Sequence, residues 1–342
     1  MEIPKNVLII KPGALGDTLL TLPAVAALRR AWPDAGFHWV GYPAHLEWLK
    51  GTAYLDACLS IDSRLFCHLF DGLADEPLME LLSRYDYGIA WIRDPQSMAG
   101  AAFRRAFGNR CLVSSSFPAP GCGIHTGDHL LQTLRGIADP RVSAALSDAP
   151  TAALLRGIYS AGESPPGLAF PPLRVMIHPG SGDRQKCWPL ERFQTVAGTL
   201  QSQAAAEICW LLGPAESGMA DEMRRYCRQH SMELLIEPPL QELARRIQGM
   251  HVFLGNDSGV SHLSAALGVG TWALFGPTDP KEWAPQGDHV HVLVPELAQR
   301  GPDGPSADGG KGRVLEGIAP GVVSKAILDA MVFTTRGFHN EH

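Results

Sequence analysis

Three short stretches carry the groups that could do chemistry. LGNDSGVSHLSAALGVGTWALFGPTDP, residues 254–280, runs from a strand end through a turn and a helix into a new apolar run. Asn256, Asp257 and Ser258 are all good helix N-cap residues, and Gly259 behind them lets a ligand approach the backbone. A helix start of this kind attracts anions, phosphate above all. Ser258 and His262 are four apart, which puts a hydroxyl and an imidazole on one helical face over that spot. The same residues also describe a routine β-to-α turn with a capping Asp and a buried His.

The second stretch is KPGALGD, residues 11–17, set between the apolar run Val7 to Ile10 and a helical pattern from Thr18 to Arg30. Gly13 and Gly16 form G-x-x-G, short of the G-x-G-x-x-G that a dinucleotide fold needs here, and no P-loop sequence occurs anywhere. Asp17 closes the loop at the positive end of a helix. That position suits a general base, but on its own it is more often a residue that satisfies first-turn N–H groups. The third stretch, HPGSGDRQKCWP at 178–189, offers N–H donors at Ser181 and its flanking glycines, a point charge at Lys186 and a helix start at Pro189.

These stretches need strands and helices to bring them together. Apolar runs at Phe37 to Val40, Tyr87 to Ile92 and Leu112 to Val113 alternate with helical patterns at Leu46 to Leu49, Leu78 to Leu82 and Met98 to Phe107. Segments 60–75 and 114–129 read as irregular. His125, Asp128 and His129 in the latter lack a convincing third spacing for a metal, so a loop without metal is expected there. From 148 to 172 Ala, Gly and Pro take over, the best domain boundary in the chain. Beyond it, runs at Val175, Ile208, Leu234, Val252 and Trp272 are separated by four helical patterns, which predicts five strands in a second doubly wound sheet. Glycine-bearing turns follow four of these runs, including Gly213-Pro214-Ala215-Glu216, and together they describe a pocket for a diphosphate with a polar appendage. A last helix, Val322 to Val332, is expected to pack back toward the first domain.

The chain has 342 residues, 45% hydrophobic and 19% charged, with a formal charge of −6, so two domains of ordinary globular protein are expected. Residues 1–160 carry 14 basic against 15 acidic residues and the remainder 15 against 20, which argues against a nucleic-acid partner. Arg84, Arg93, Arg104, Arg105 and Arg110 cluster in sequence and could make a local basic patch. Seven cysteines without a C-x-x-C pair argue against a disulfide framework and a zinc site. The opening apolar run is too short for a signal segment or a span, so a cytoplasmic protein is expected.

GALGDTLLTLPAVAALRRAWP at the start, HPGSGDRQKCWP after the boundary and GNDSGVSHLSAALGVGTWALFGPTDP near the end, in that order, resemble glycosyltransferase family 9, the ADP-heptose:lipopolysaccharide heptosyltransferases. The resemblance implies an α/β chain of two Rossmann-like domains facing across a cleft, the glycosyltransferase-B fold. Residues 1–160 are then an N-terminal acceptor domain and 170–342 a C-terminal nucleotide-sugar domain. It implies Asp17 as general base beside the Gly13 and Gly16 loop. It implies Ser181 and Lys186 at the diphosphate, Glu216 near the nucleoside ribose, and Asp257, Ser258, Gly259 and His262 gripping sugar and phosphates. The donor expected is an ADP-sugar and the acceptor a lipopolysaccharide core or another glycolipid, with peripheral contact at the cytoplasmic face of the inner membrane. No metal or other cofactor is expected, since D-x-D does not occur. Transfer of another nucleotide sugar, epimerisation of one, or binding without catalysis are the alternatives. Residues 299–312, dense in Gly, Pro and Asp, are expected to form a flexible loop.

Overall fold

The computed structural model describes residues 2–147, 172–295 and 314–337, apart from positions 53 and 74. The boundary segment 148–171 and the loop 299–312 thus lie outside the described residues. The chain divides into two compact units, residues 1–158 and 159–342.

In the first unit the elements run β1 (Asn6–Ile10), α1 (Leu15–Ala31), β2 (Gly36–Gly41), α2 (Pro43–Leu46), β3 (Ala57–Ser60), α3 (Arg64–Phe70), α4 (Glu76–Ser83), β4 (Tyr87–Ile92), α5 (Met98–Phe107), β5 (Cys111–Ser115), α6 (Thr126–Thr133) and α7 (Pro140–Ser147). The five strands form one sheet, ordered β3-β2-β1-β4-β5, and every pairing is parallel. β4 is buried along its whole length, as an unbroken apolar run in a parallel sheet must be. α1 is apolar on nearly every side because it lies against α6 and α7. At its far end Trp32, fully buried, donates from Nε1 to Asp139 at 3.0 Å, and Asp139 is also paired with Arg141 at 2.7 Å.

The second unit runs β6 (Arg174–His178), α8 (Leu190–Ala204), β7 (Glu207–Leu212), α9 (Ala220–Gln229), β8 (Glu233–Ile236), α10 (Leu240–Gln248), β9 (Val252–Asn256), α11 (Gly259–Ala266), β10 (Gly270–Leu274), α12 (Pro280–Trp283), β11 (Val290–Leu293) and α13 (Pro320–Gly337). Its sheet is also parallel throughout, ordered β11-β10-β9-β6-β7-β8. The sheet therefore has six strands where five were expected. β11, a half-exposed edge of four residues with His291 in it, has too little apolar signal to be read from sequence. Segment 60–75 likewise holds the end of β3 and the seven-residue α3, and segment 114–129 holds the start of α6. The last helix is accounted for within this unit: Val323 and Ile327 are buried in its core and α13 lies against α8.

Strand order reverses between β1 and β4 in one unit and between β6 and β9 in the other. In open parallel sheets such reversals open a crevice at the carboxyl ends of the strands, where ligands bind. Asp17 follows β1, Ser181 and Lys186 follow β6, and Asp257 follows β9.

Candidate active site

In the second unit the two loops at the reversal are stitched together. Asn256, the fully buried last residue of β9, donates from Nδ2 to the carbonyls of Pro179 (2.7 Å) and Gly180 (3.4 Å). Its Oδ1 accepts from the N–H of Trp188 at 3.0 Å. Asn256 is thus the clamp between the β6 and β9 loops, a role beyond the N-cap that its type and position suggest. The cap is Ser258, whose Oγ accepts from the Ser261 N–H at 3.4 Å.

Three of the expected residues meet directly across these loops. Ser181 Oγ donates to the Asp257 carbonyl at 2.8 Å, and Lys186 Nζ donates to Asp257 Oδ2 at 2.7 Å. Lys186 is therefore not an isolated point charge. It neutralises a carboxylate whose side chain is only 9% exposed and which would be costly to leave alone. The first N–H groups of a helix have no partner within it, and those of Gly259 and Val260 take no acceptor among the described residues. Both residues are half-buried, so the start of α11 offers two donors beside the Lys186–Asp257 pair. His262 lies one turn further along and is buried, so its ring belongs to the inner side of α11 rather than to an open surface above Ser258.

Glu216 is also buried, and its Oε2 accepts from the Gly213 N–H at 2.9 Å. It rests on the backbone of Gly180: a Cβ there would stand 2.0 Å from its carboxylate. Glu216 is thus brought beside the chain that carries Ser181. Below it, buried His178 holds Nδ1 on the Leu211 carbonyl at 3.1 Å. Burial pushes the His178 pKa down, opposed by that carbonyl and by the Glu216 carboxylate.

The first unit's rim is sparser. Gly13 faces Asp17 so closely that a Cβ at 13 would stand 2.6 Å from the aspartate Cβ, and Gly16 lies in the first turn of α1. Asp17, half-buried, accepts from the Ala14 N–H through Oδ2 at 3.0 Å. The capping role is therefore real, and Oδ1 has no donor among the described residues. Capping and base chemistry are compatible on the two oxygens of one carboxylate.

Two further residues near the Asp17 loop take no role from sequence alone: Lys11, at the head of the stretch 11–17, and His45, outside every motif. Lys11 is 2% exposed, yet among the described residues its ammonium has only the Pro12 carbonyl at 3.5 Å and the face of the Phe117 ring at 4.9 Å. Burial pushes its pKa down, opposed by the Asp17 carboxylate. A lysine directly after a buried apolar run is a signal that sequence could have yielded. The other, His45, sets Nδ1 3.2 Å from the Gly13 carbonyl, a contact across 32 residues with no sequence signature. The arginine cluster is mostly occupied: Arg84 pairs with Glu80, Arg104 donates to the Pro95 carbonyl and Arg110 to the Asp86 carbonyl. Arg93 is exposed immediately after β4. The His125 and His129 rings bond the Gly127 N–H and the Ser115 carbonyl respectively.

The sequence model described as glycosyltransferase family 9 (heptosyltransferase) matches residues 146–302. Lipopolysaccharide heptosyltransferase 3 of Escherichia coli K12 is 26% identical over 295 residues, covering 80% of this chain and 83% of that one. In fold, the chain is similar to the family 9 glycosyltransferase of Veillonella parvula, with a TM-score of 0.68, 18% identity and coverage of 97% and 99%. It is also similar in fold to E. coli heptosyltransferase WaaC with ADP, with a TM-score of 0.65, 20% identity and coverage of 95% and 99%.

Proposed function

The chain belongs to glycosyltransferase family 9, with the two parallel-sheet α/β domains of the glycosyltransferase-B fold, and from that premise we propose that it moves a heptose from ADP-heptose to a lipopolysaccharide core. The observation that carries this reading is the second unit's rim, where Ser181, Lys186, Asn256 and Asp257 are bonded into one fixed frame around the open start of α11. Fixed donors need no reorganisation when charge develops on a leaving diphosphate, and in many enzymes such preorganisation lowers the barrier more than any other single effect. The C-terminal unit, residues 170–342, takes the donor, with Glu216 toward the ribose and His262 behind the phosphates. The N-terminal unit, residues 1–160, takes the acceptor.

Asp17 takes the proton from the acceptor hydroxyl as that oxygen attacks the anomeric carbon and the bond to the diphosphate breaks. A single displacement of this kind inverts the anomeric centre. Charge on the leaving ADP falls to Lys186 and to the Gly259 and Val260 N–H groups, in the place a metal ion would otherwise take. Among the described residues no helix is long and apolar enough to cross a membrane. Contact with a glycolipid acceptor is then proposed to be peripheral, at the cytoplasmic face of the inner membrane.

The test is incubation with ADP-heptose and a panel of truncated lipopolysaccharide cores, with mass spectrometry of core and sugar. A core heavier by one heptose, with stoichiometric ADP, is expected. Release of an altered free sugar, or tight ADP-heptose binding with no product on any core, would overturn the reading.

A further inference from the structure

His45 and Asp17 hold the two ends of one peptide group. The Gly13 carbonyl and the Ala14 N–H belong to the same peptide bond: the carbonyl faces His45 Nδ1 at 3.2 Å, and the N–H donates to Asp17 Oδ2 at 3.0 Å. A carbonyl oxygen only accepts, so Nδ1 of this imidazole carries a hydrogen. Donation into the C=O polarises the peptide and strengthens what its N–H can offer Asp17. On the far side of Ala14 its own carbonyl accepts from the Thr18 N–H at 3.0 Å and the Thr18 hydroxyl at 3.2 Å, so among the described residues the bonds on the Gly13–Ala14 peptide itself are those to His45 and Asp17.

His45 itself is rigidly placed. Its own N–H donates to the Tyr42 carbonyl at 2.9 Å, and its carbonyl accepts from Trp48 Nε1 at 2.7 Å. The next residue, Leu46, is buried against Gly41, where a Cβ would stand 2.9 Å from Cδ1, and the Tyr42 ring packs edge-on against the imidazole at 5.8 Å. The short segment after β2 is thus an anchored arm whose imidazole reaches into the glycine loop after β1.

We propose that His45 is a positioning residue for Asp17: through the Gly13–Ala14 peptide it fixes Oδ2 and so aims Oδ1 at the acceptor hydroxyl. This rests on the reading of Asp17 as the base. The reactive geometry is lost when a catalytic group moves by about 1 Å, at a cost of up to roughly 100-fold. His45→Phe, which keeps a ring and removes the donor, is therefore expected to lower kcat for heptosyl transfer by about 10- to 100-fold while leaving ADP affinity and Tm unchanged.

Rescue and non-additivity separate positioning from other roles. His45→Asn places an amide N–H near the position of Nδ1 and cannot take up a proton, so it should recover most of the lost rate. His45→Ala serves in place of Phe if the larger ring crowds Tyr42. In the Asp17→Asn background His45→Phe should cost nothing further, because both act as one unit. Wild-type kcat in His45→Phe, failure of Asn to rescue, or the same fold-loss with and without Asp17 each overturns the inference. An Asp17→Asn enzyme with full turnover overturns instead the reading of Asp17 on which it rests, whatever His45 does.

Discussion

The two reversal points, alike in topology, are built on opposite plans. In the second unit a buried amide, a hydroxyl and an ion pair converge on the β6 and β9 loops, so that Asn256, Ser181, Lys186 and Asp257 hold one another. In the first, Asp17 is held through one oxygen and Lys11 through a single 3.5 Å hydrogen bond. Their buried ion pairs differ in place as well. The second unit sets Lys186–Asp257 at the rim, whereas the first sets Arg141–Asp139 against Trp32, beyond the last turn of α1 and roughly 22 Å along its axis from Asp17. On the proposed reading, a frame that meets a diphosphate gains from being pre-bonded. On the same reading, a rim that accepts a proton from a sugar hydroxyl has to leave a carboxylate oxygen open, as Asp17 Oδ1 is among the described residues.

The contrast can be broken most sharply at Asp17. Asp17→Asn should cut transfer by about 10²- to 10⁴-fold with ADP affinity intact. Because the amide oxygen of Asn can still accept from the Ala14 N–H, the melting temperature should hold. If assay shows undiminished turnover, the sparse rim is only a helix start. Next in size is Asn256→Ala, which strands the Trp188 N–H and two carbonyls in the interior. About 3 kcal/mol of stability should be lost in urea titration, together with nucleotide binding. Ordinary stability would mean that the second rim is not pre-bonded.

Lys186→Ala should weaken ADP-heptose by roughly 10- to 100-fold and adenosine far less, as calorimetry with both ligands would reveal. Equal losses would assign the lysine to holding Asp257 alone. The smallest effect concerns the pair remote from the rim. Arg141 beside Asp139 holds its carboxyl down at about 2, against the cost of burial and with help from the Trp32 N–H, while the unfolded chain titrates near 3.8. The folded state thus favours the ionised form, and this contribution is complete above about pH 4 and lost as pH falls toward 2. It amounts to about 2 kcal/mol. Asp139→Asn should remove it, so the urea midpoint of the variant should fall less than that of the wild type between about pH 5 and pH 2.5. A parallel fall in both would place the acid sensitivity elsewhere.

Strands buried on both faces are legible because nothing but an apolar run can occupy them: the run Tyr87–Ile92 has the same ends as β4, and the runs of β6, β7 and β9 agree with their strands to within about two residues. Edges are not. β3, with residues Ala57–Ser60 all half-buried, and β11 carry half the burial and so half the signal. At the rims, residue types show which side chains are available but not which will meet. Asn256 looks like one cap among three because its partners at 179, 180 and 188 are set by the β6–β9 pairing, not by neighbours in sequence. His45 is silent for the same reason: its partner is reached only when β1 and β2 lie side by side.

The closeness of Gly180 to Glu216 constrains how this enzyme can diverge. With the Glu216 carboxylate where it stands, even a methyl carbon at 180 would collide with it at 2.0 Å, so a side chain there requires the glutamate to leave the Gly213 N–H. Lineages that vary residue 180 must therefore shorten residue 216 or turn its carboxylate aside. Randomised libraries at the two positions should yield active clones with substituted 180 chiefly among those that have lost the glutamate.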